Sequence, residues 1–484
     1  MATRARRDIA FTALATAAAL VPRLYVAIAW AREPVWDGHY YDFGAKRIAA
    51  GLGYSDDLVV AGQAVWHPWC HYPVGYSGFL AAVYKLFGSG GHAGTVANAV
   101  VGALIVAVVH RIALRMIGVW RARAAAALCA VHPGMILYSA LLMSEPLATL
   151  GPLVALWLAL RDRRRSPLRG ALLSGAALGL TTLVHPQSIL LTPGLGLAML
   201  PTLHWRAWRT LLARTAVVSA TALAVVAPWT LRNCRVMDGC AFVSTNGGWN
   251  LAIGAFSRAT GRFETLHASD GCEIVTGQVQ QDRCWASVGW AAIRREPLRW
   301  LELAPKKLGY TFDHESFPVE YLREADPRSW PEPRRVWWRE LLTTFHRLLL
   351  SAAVFGFVAR GARTWRGVAV EAGLLAGCAG LVAWGFSADI PIFYPLALAL
   401  PVAGLIPRSS APYRGPVGAF VILAFVVFVV THVVFFGEDR YHMVLSPLMC
   451  LMAAAALRRG GQRAQPPAVD DLAVDGVSGS LASH

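Results

Sequence analysis

Long apolar runs separated by short polar stretches set the pattern of this chain. The first run extends from Ile9 to about Ala31, with Arg4, Arg6 and Arg7 ahead of it. A helix rising 1.5 Å per residue needs about 20 apolar residues to cross a bilayer core. Runs of this kind also fall at about 92–114, 122–142, 146–161, 169–184, 187–203 and 211–229. After a long polar interval they return at about 341–359, 367–387, 390–407, 415–436 and 441–457. The pattern therefore predicts twelve membrane-spanning helices. A cleaved leader would have a shorter apolar stretch, so the first run is expected to stay as a helix with its N-terminus inside. The segment Tyr72–Gly88 is apolar but short, and it is expected to lie at the outer interface.

Composition agrees with a helical membrane protein. The chain is 56% hydrophobic and only 15% charged over 484 residues. Soluble domains carry about 25% charged residues. The net charge of +16 would suit a nucleic-acid partner, but the positions of the arginines argue against one. Twenty-three basic residues fall in alternate short loops, against five on the opposite side. That asymmetry is the positive-inside signal and puts both termini in the cytoplasm. Four lysines against forty-one arginines suggest a bacterial origin and a cytoplasmic (inner) membrane. The expected organisation is a module at 1–229 with a catalytic first outer loop at 32–91. It is followed by a long outer loop at 230–340, C-terminal helices at 341–459 and a disordered tail at 460–484. Within the long loop, Trp285–Phe312 has helical spacing of apolar positions and predicts an amphipathic helix on the outer surface.

With this topology the polar clusters collect on the outer side. The interval 32–91 places Asp37, His39, Asp42, His67 and His71 among aromatics and glycines. An ionisable group beside a span is costly unless it is used. Each candidate also has a plain structural reading. Asp37 could cap the helix that Gly51 ends, and Glu145 could be only a first-turn acid of its span. His71 could belong to the aromatic belt and Arg440 could merely reach the interface. Lys306 and Lys307 suit a solvated face, Arg23 a reach to the interface, and Asp42 an outlook to solvent. His314-Glu315 lacks the spacing of a strong metal motif; a divalent cation is compatible with the chemistry, but no ligand motif is evident. Cys234, Cys240, Cys272 and Cys284 fall in the long outer interval, where close pairs tend to be bridged. Pairing 234 with 240 and 272 with 284 is the simplest connectivity, with other pairings open and Cys70 left as an outer thiol.

Several segments together resemble a known family. They are Trp36-Asp37…Tyr40-Tyr41…Ala45…Ala49…Gly51-Leu52-Gly53-Tyr54 and Tyr72-Pro73-Val74-Gly75-Tyr76…Tyr84…Leu86-Phe87-Gly88. Later come Ser144-Glu145-Pro146, Pro228-Trp229-Thr230-Leu231-Arg232-Asn233, Ser244–Leu251 and Arg440-Tyr441…Pro447. The set is similar to the C-superfamily of membrane glycosyltransferases (GT-C), in the family 39-like branch of protein O-mannosyltransferases and lipid A aminoarabinose transferases. The resemblance implies an all-helical GT-C-like enzyme that moves a sugar from a polyprenyl phosphate, on the outer face and with inversion, to a lipid, glycan or protein acceptor. It also implies that the first-loop acid, here Asp37, is the catalytic base. Glu145 is the second carboxylate, and His71, Arg232 and Arg440 are candidates for the donor phosphate. His39, Tyr40, Tyr76 and His185 are candidates for substrate contact. The chain departs from the family where an acid pair before Arg-Tyr becomes Asp37-Gly38-His39-Tyr40, and where Lys before Pro-Pro becomes His71 before Tyr72-Pro73. The rival reading is a transporter of an anionic or lipid-linked substrate, which would need functional residues open to both sides.

Overall fold

The computed structural model describes residues 2–273, 277–358, 364–387 and 415–457. The chain is predominantly helical. Among the described residues, six helices are long and apolar enough to cross a membrane, or seven if one bent pair counts as a span. That is fewer than the twelve expected from sequence, and proline accounts for much of the difference. The run at 122–142 divides into Val119–Val131 and Pro133–Leu137 at His132-Pro133. The stretch Pro133–Ala140 then meets Glu145–Asp162 at a bend of 120°. The run at 187–203 becomes a 3-10 turn, Pro186–Leu191, and the short helix Thr192–Ala198. Proline removes an amide donor and clashes with the preceding turn, so these two runs break where one falls, although Pro22, Pro152 and Pro228 are accommodated inside longer helices. The run at 390–407, Asp389 and the tail from 460 onward lie outside the described residues.

Small residues draw the helices together. Ala122, Ala125, Ala126, Ala155 and Ala159 are fully buried. Gly175 and Gly179 lie one turn apart on the helix Pro167–Val184. A Cβ on either would come within 2.7 Å of a carbonyl, Val218 O or Ala222 O, on the helix Trp208–Val236. Close backbone approach through paired glycines is a recurrent way for membrane helices to pack. Arg23, on the first helix, is fully buried rather than reaching outward. Its guanidinium donates to Ala19 O, Ala130 O and Cys129 O at 2.8–2.9 Å, joining the first helix to the end of Val119–Val131.

The first polar interval is better ordered than an open loop. Trp36–Ala49 is a helix, and Val74–Phe87 is the short apolar helix expected there. Between them a hairpin that the apolar pattern did not signal pairs Ser55–Val60 with Gln63–Pro68. Ala61 and Gly62 form its two-residue turn, both with positive φ, as a tight hairpin requires. The long interval carries the disulfides Cys234–Cys240 and Cys272–Cys284, while Cys70 is free and buried. The amphipathic stretch forms two helices, Gln278–Arg295 and Pro297–Phe312, divided at Pro297. Trp290, Leu298 and Leu301 stay exposed on them, whereas Trp285 and Phe312 are buried. Lys307 departs from its expected solvated face: it is fully buried and donates to Val433 O at 2.9 Å.

Candidate active site

Asp37 sits in the first turn of Trp36–Ala49, where a helix N-terminus favours a carboxylate. No side-chain cap is made there by Val35, and Asp37 instead points to the far end of the chain. Its Oδ1 accepts a hydrogen bond from the Tyr72 hydroxyl at 2.8 Å, and its Oδ2 accepts one from Arg440 at 2.5 Å. Burial, then the neighbouring Asp37 carboxylate, pushes the Tyr72 phenol upward, so it stays a donor. The two Asp37 oxygens hold a phenol and a guanidinium.

Arg440 is the hub. Its Nε lies 2.7 Å from Glu438 Oε2, an ion pair without hydrogen-bond alignment. Its guanidinium also lies over the rings of Phe317 and Tyr441, 5.1 and 5.0 Å from their centroids. Burial would lower the pKa of Arg440, but Glu438, Tyr441, Asp37 and Glu145 outweigh it and hold the group charged. Burial raises that of Glu438, with Arg440 opposing. Glu145 begins the helix Glu145–Asp162 and is buried, with Oε2 lacking a partner.

His185 follows the end of Pro167–Val184 and is hydrogen-bonded to Ser144 Oγ (3.1 Å) and Gln187 Nε2 (3.2 Å). Burial, then Arg440, pushes it down to about 4, so it is neutral. Beside it a narrow apolar groove of about 60 Å³ lies between helices, lined by Leu153, Leu191, Phe420, Phe428, Val444 and Leu448, with His185 and Tyr441 among its polar edges.

The structure does not gather all the candidates. Tyr40 is exposed and stacks on Tyr72, with ring centroids 5.3 Å apart, and His39 is exposed beside it. His71 packs edge-on against Tyr72 and Trp249; burial lowers its pKa, with Asp37 opposing. Arg232 is committed elsewhere: it donates to Trp69 O at 3.1 Å and Tyr54 O at 2.7 Å, bracing the first loop. A phosphate there would compete with two carbonyls. Tyr76 is fully buried, with its hydroxyl accepting from Asn98 at 2.7 Å, and presents no surface to a substrate. Asp42 does not face solvent; it is buried, accepts from the Tyr84 hydroxyl at 2.6 Å and pairs with Lys46 at 2.6 Å. Gly38 makes room for Tyr321, whose hydroxyl would lie 2.2 Å from a Cβ at that position.

Sequence reasoning missed three contributors. Tyr72 was visible only as an aromatic before proline, Glu438 only as an acid in a short loop, and Tyr441 only as the neighbour of Arg440. Polar residues flanking Arg440 were the available signal for the last two.

Comparison with known proteins agrees with the resemblance in the motifs. The family model of dolichyl-phosphate-mannose-protein mannosyltransferases matches residues 71–231, less than half of the chain. No curated protein matches the chain significantly. Solved structures with a similar course include the Archaeoglobus fulgidus oligosaccharyltransferase tethered with an acceptor peptide, at 13% identity and a TM-score of 0.46. That match covers 92% of this chain and 49% of the other, so this chain spans about half the length of the archaeal enzyme. Another is ArnT from Cupriavidus metallidurans bound to undecaprenyl phosphate, at 18% identity and a TM-score of 0.38, covering 92% of this chain and 77% of that one. Scores this low mark distant likenesses, and nothing about the site follows from them. The similarity to GT-C glycosyltransferases is carried by residues 71–231, which run from the end of the first polar interval through the helix that bears Glu145 to the Pro228–Leu231 motif.

Proposed function

We propose that this protein is an inverting glycosyltransferase that takes a sugar from a polyprenyl phosphate and transfers it to a hydroxyl acceptor on the outer face of the membrane. The observation that carries the reading is the Asp37–Arg440 pair. A carboxylate and a guanidinium from opposite ends of the chain meet at 2.5 Å, and Tyr441 beside Arg440 borders an apolar groove. The matched family model, named for a dolichyl-phosphate sugar donor, supports the same class of donor.

The reaction needs a base for the acceptor and a cation for the leaving phosphate. Asp37 takes the proton of the acceptor hydroxyl as the acceptor oxygen bonds to the anomeric carbon. The bond from that carbon to the phosphate oxygen breaks, and polyprenyl phosphate leaves with the electron pair. Arg440 is placed to exchange Asp37 for the phosphate, which frees the carboxylate when a donor binds. Glu438 keeps the guanidinium from leaving with the product. Glu145 orients the acceptor or sugar from the buried side. The polyprenyl chain would enter along the groove by parting its apolar walls, with His185 and Tyr441 at its polar edge.

Purified protein in liposomes, given a radiolabelled polyprenyl-phosphate sugar and a panel of lipid and peptide acceptors, should release polyprenyl phosphate with transfer of label. Movement of intact donor across the bilayer without release would favour the transporter and overturn this reading.

A further inference from the structure

A second polar cluster lies just beyond Arg440. Glu315, His346 and His442 offer ligand atoms that all lie within 4.8 Å of one another. Glu315 is 2% exposed, and both histidines are fully buried. They come from three separate places: the connection after Pro297–Phe312, the helix Glu332–Val358 and the 3-10 turn Asp439–Leu445.

The hydrogen bonds fix what each group presents. His442 Nδ1 is 2.7 Å from Thr311 O, and His346 Nε2 is 2.8 Å from Phe312 O. A carbonyl can only accept, so each of these nitrogens carries the proton and donates it. The other nitrogens, His442 Nε2 and His346 Nδ1, are therefore lone pairs, and neither has a partner. Both Glu315 carboxylate oxygens lack a donor as well. His442 Nε2 stands 3.7 Å from Glu315 Oε2. Acceptor faces acceptor in a dry interior, an arrangement that is costly unless a cation lies between them.

The outer hydrogen bonds are those of a ligand set, while the two rings stack with centroids 3.9 Å apart and have to fan apart for both lone pairs to meet one ion. A metal-bound histidine commonly donates its outer N–H to a carbonyl, which sets both tautomer and ring direction. Here two successive carbonyls at the end of one helix do so for two histidines. The Glu315 amide donates to the Thr343 hydroxyl at 3.2 Å, which fixes its backbone. A Cβ on Gly134 would lie 1.5 Å from Glu315 Oε1, so the carboxylate occupies space that only glycine leaves. His132, two residues before that glycine, accepts the Met135 amide at Nδ1, so its buried Nε2 carries the ring proton and is not a ligand atom.

We propose that Glu315, His346 and His442 bind one divalent transition-metal ion, of the class that prefers mixed imidazole and carboxylate ligands, zinc foremost. Two nitrogens and one oxygen suit tetrahedral zinc, with the fourth position left to water. Neither cavity described among these residues is lined by the trio, and a structural role for the ion follows from its sealed position. It ties the end of the long interval to the turn that carries Arg440, two residues from His442.

The test uses full-length protein without a histidine tag, purified from zinc-supplemented cells and analysed for metal by mass spectrometry. Wild type should carry stoichiometric metal. Glu315→Gln and His346→Gln should each lower it at least ~10-fold, while His110→Gln, a buried histidine away from the trio, should keep it. Cobalt added to chelator-treated wild type should give the visible bands of a four-coordinate site, and zinc should raise its melting temperature but not that of Glu315→Gln. Folded wild type that takes up neither metal, or variants that keep it, would overturn the proposal in favour of a proton held by the carboxyl.

Discussion

Two polar centres share the turn Asp439–Leu445 and are built in opposite ways. Arg440 meets Asp37 with side chains 14% and 24% exposed, and each charge finds its opposite. Two residues on, His442 meets Glu315 with side chains 0% and 3% exposed, and lone pairs face lone pairs. A pair that has to open for a substrate needs access to water or ligand, because breaking a fully buried pair leaves a stranded charge. A centre that has only to hold the fold can be sealed. The difference separates the chemistry from the scaffold, and the predictions below are ways to break it.

Replacing Asp37 with Asn should have the largest effect. It keeps the shape and a hydrogen-bond acceptor for Tyr72 but removes the carboxylate proposed as the base, so turnover should fall by about 10²-fold or more. Donor binding, measured with labelled lipid, should stay within a few-fold. Near-normal turnover in this variant with a dead Glu145→Gln would exchange the two roles. Next is Arg440→Lys, which keeps the charge but loses the fork that spans Asp37 and Glu438. The KM for donor should rise about 10-fold, the usual scale of one charge-assisted contact. Glu145→Gln should be milder, a loss of several-fold in turnover with donor binding retained, because the role proposed for Glu145 is to orient the acceptor or sugar and not to take the proton.

The sequence made parts of this comparison legible. Apolar runs marked the helices Ala93–Met116, Pro167–Val184 and Trp208–Val236, because a span must satisfy its own backbone and reads from local pattern. Asp37 was legible as an acid beside a span, and Arg440 as a cation in a short acidic turn. What pairs them was not, since the contact crosses 403 positions and no local pattern encodes it. The trio Glu315, His346 and His442 failed for the same reason: its ligands come from three elements with no motif spacing. Tyr76 was expected at the substrate from the motif, Asp42 toward solvent from its helix position and Lys307 on a solvated face, yet each found a buried partner.

Lys307 offers a test of the scaffold side. Burial pushes its ammonium down to about 7, with Arg299 adding to the effect, while an unfolded lysine titrates at about 10.4. Between those values the unfolded chain binds more protons, so stability rises with pH across that window and is lowest at and below pH 7. Lys307→Met keeps the stem and removes the charge, and should flatten this slope. Melting temperatures in detergent from pH 7 to 10 check it: the gap between variant and wild type should be widest at pH 7. A parallel rise in both proteins would assign the slope to other groups. Activity should change little at any pH, because Lys307 holds Val433 O rather than the substrate.

The smallest effect is expected at Asp42, and it tests whether position on the first helix separates the two acids. Asp37 and Asp42 lie five residues apart, so their side chains leave the helix in different directions. Asp37 turns toward Tyr72 and Arg440, whereas Asp42 turns into the packing between this helix and Val74–Phe87, where the Tyr84 hydroxyl donates to it. Asparagine at 42 still accepts that hydrogen bond and loses only the pairing with Lys46, whose side chain is 48% exposed. Half-exposed ion pairs are worth about 0–1 kcal/mol, so Asp42→Asn should lower the melting temperature slightly and leave turnover unchanged. Asp42→Leu, which also removes the acceptor for Tyr84, should cost more stability at the same turnover. A turnover loss in Asp42→Asn that approached that of Asp37→Asn would mean that the first helix presents both acids to the substrate, and the separation drawn between the two centres would have to be moved.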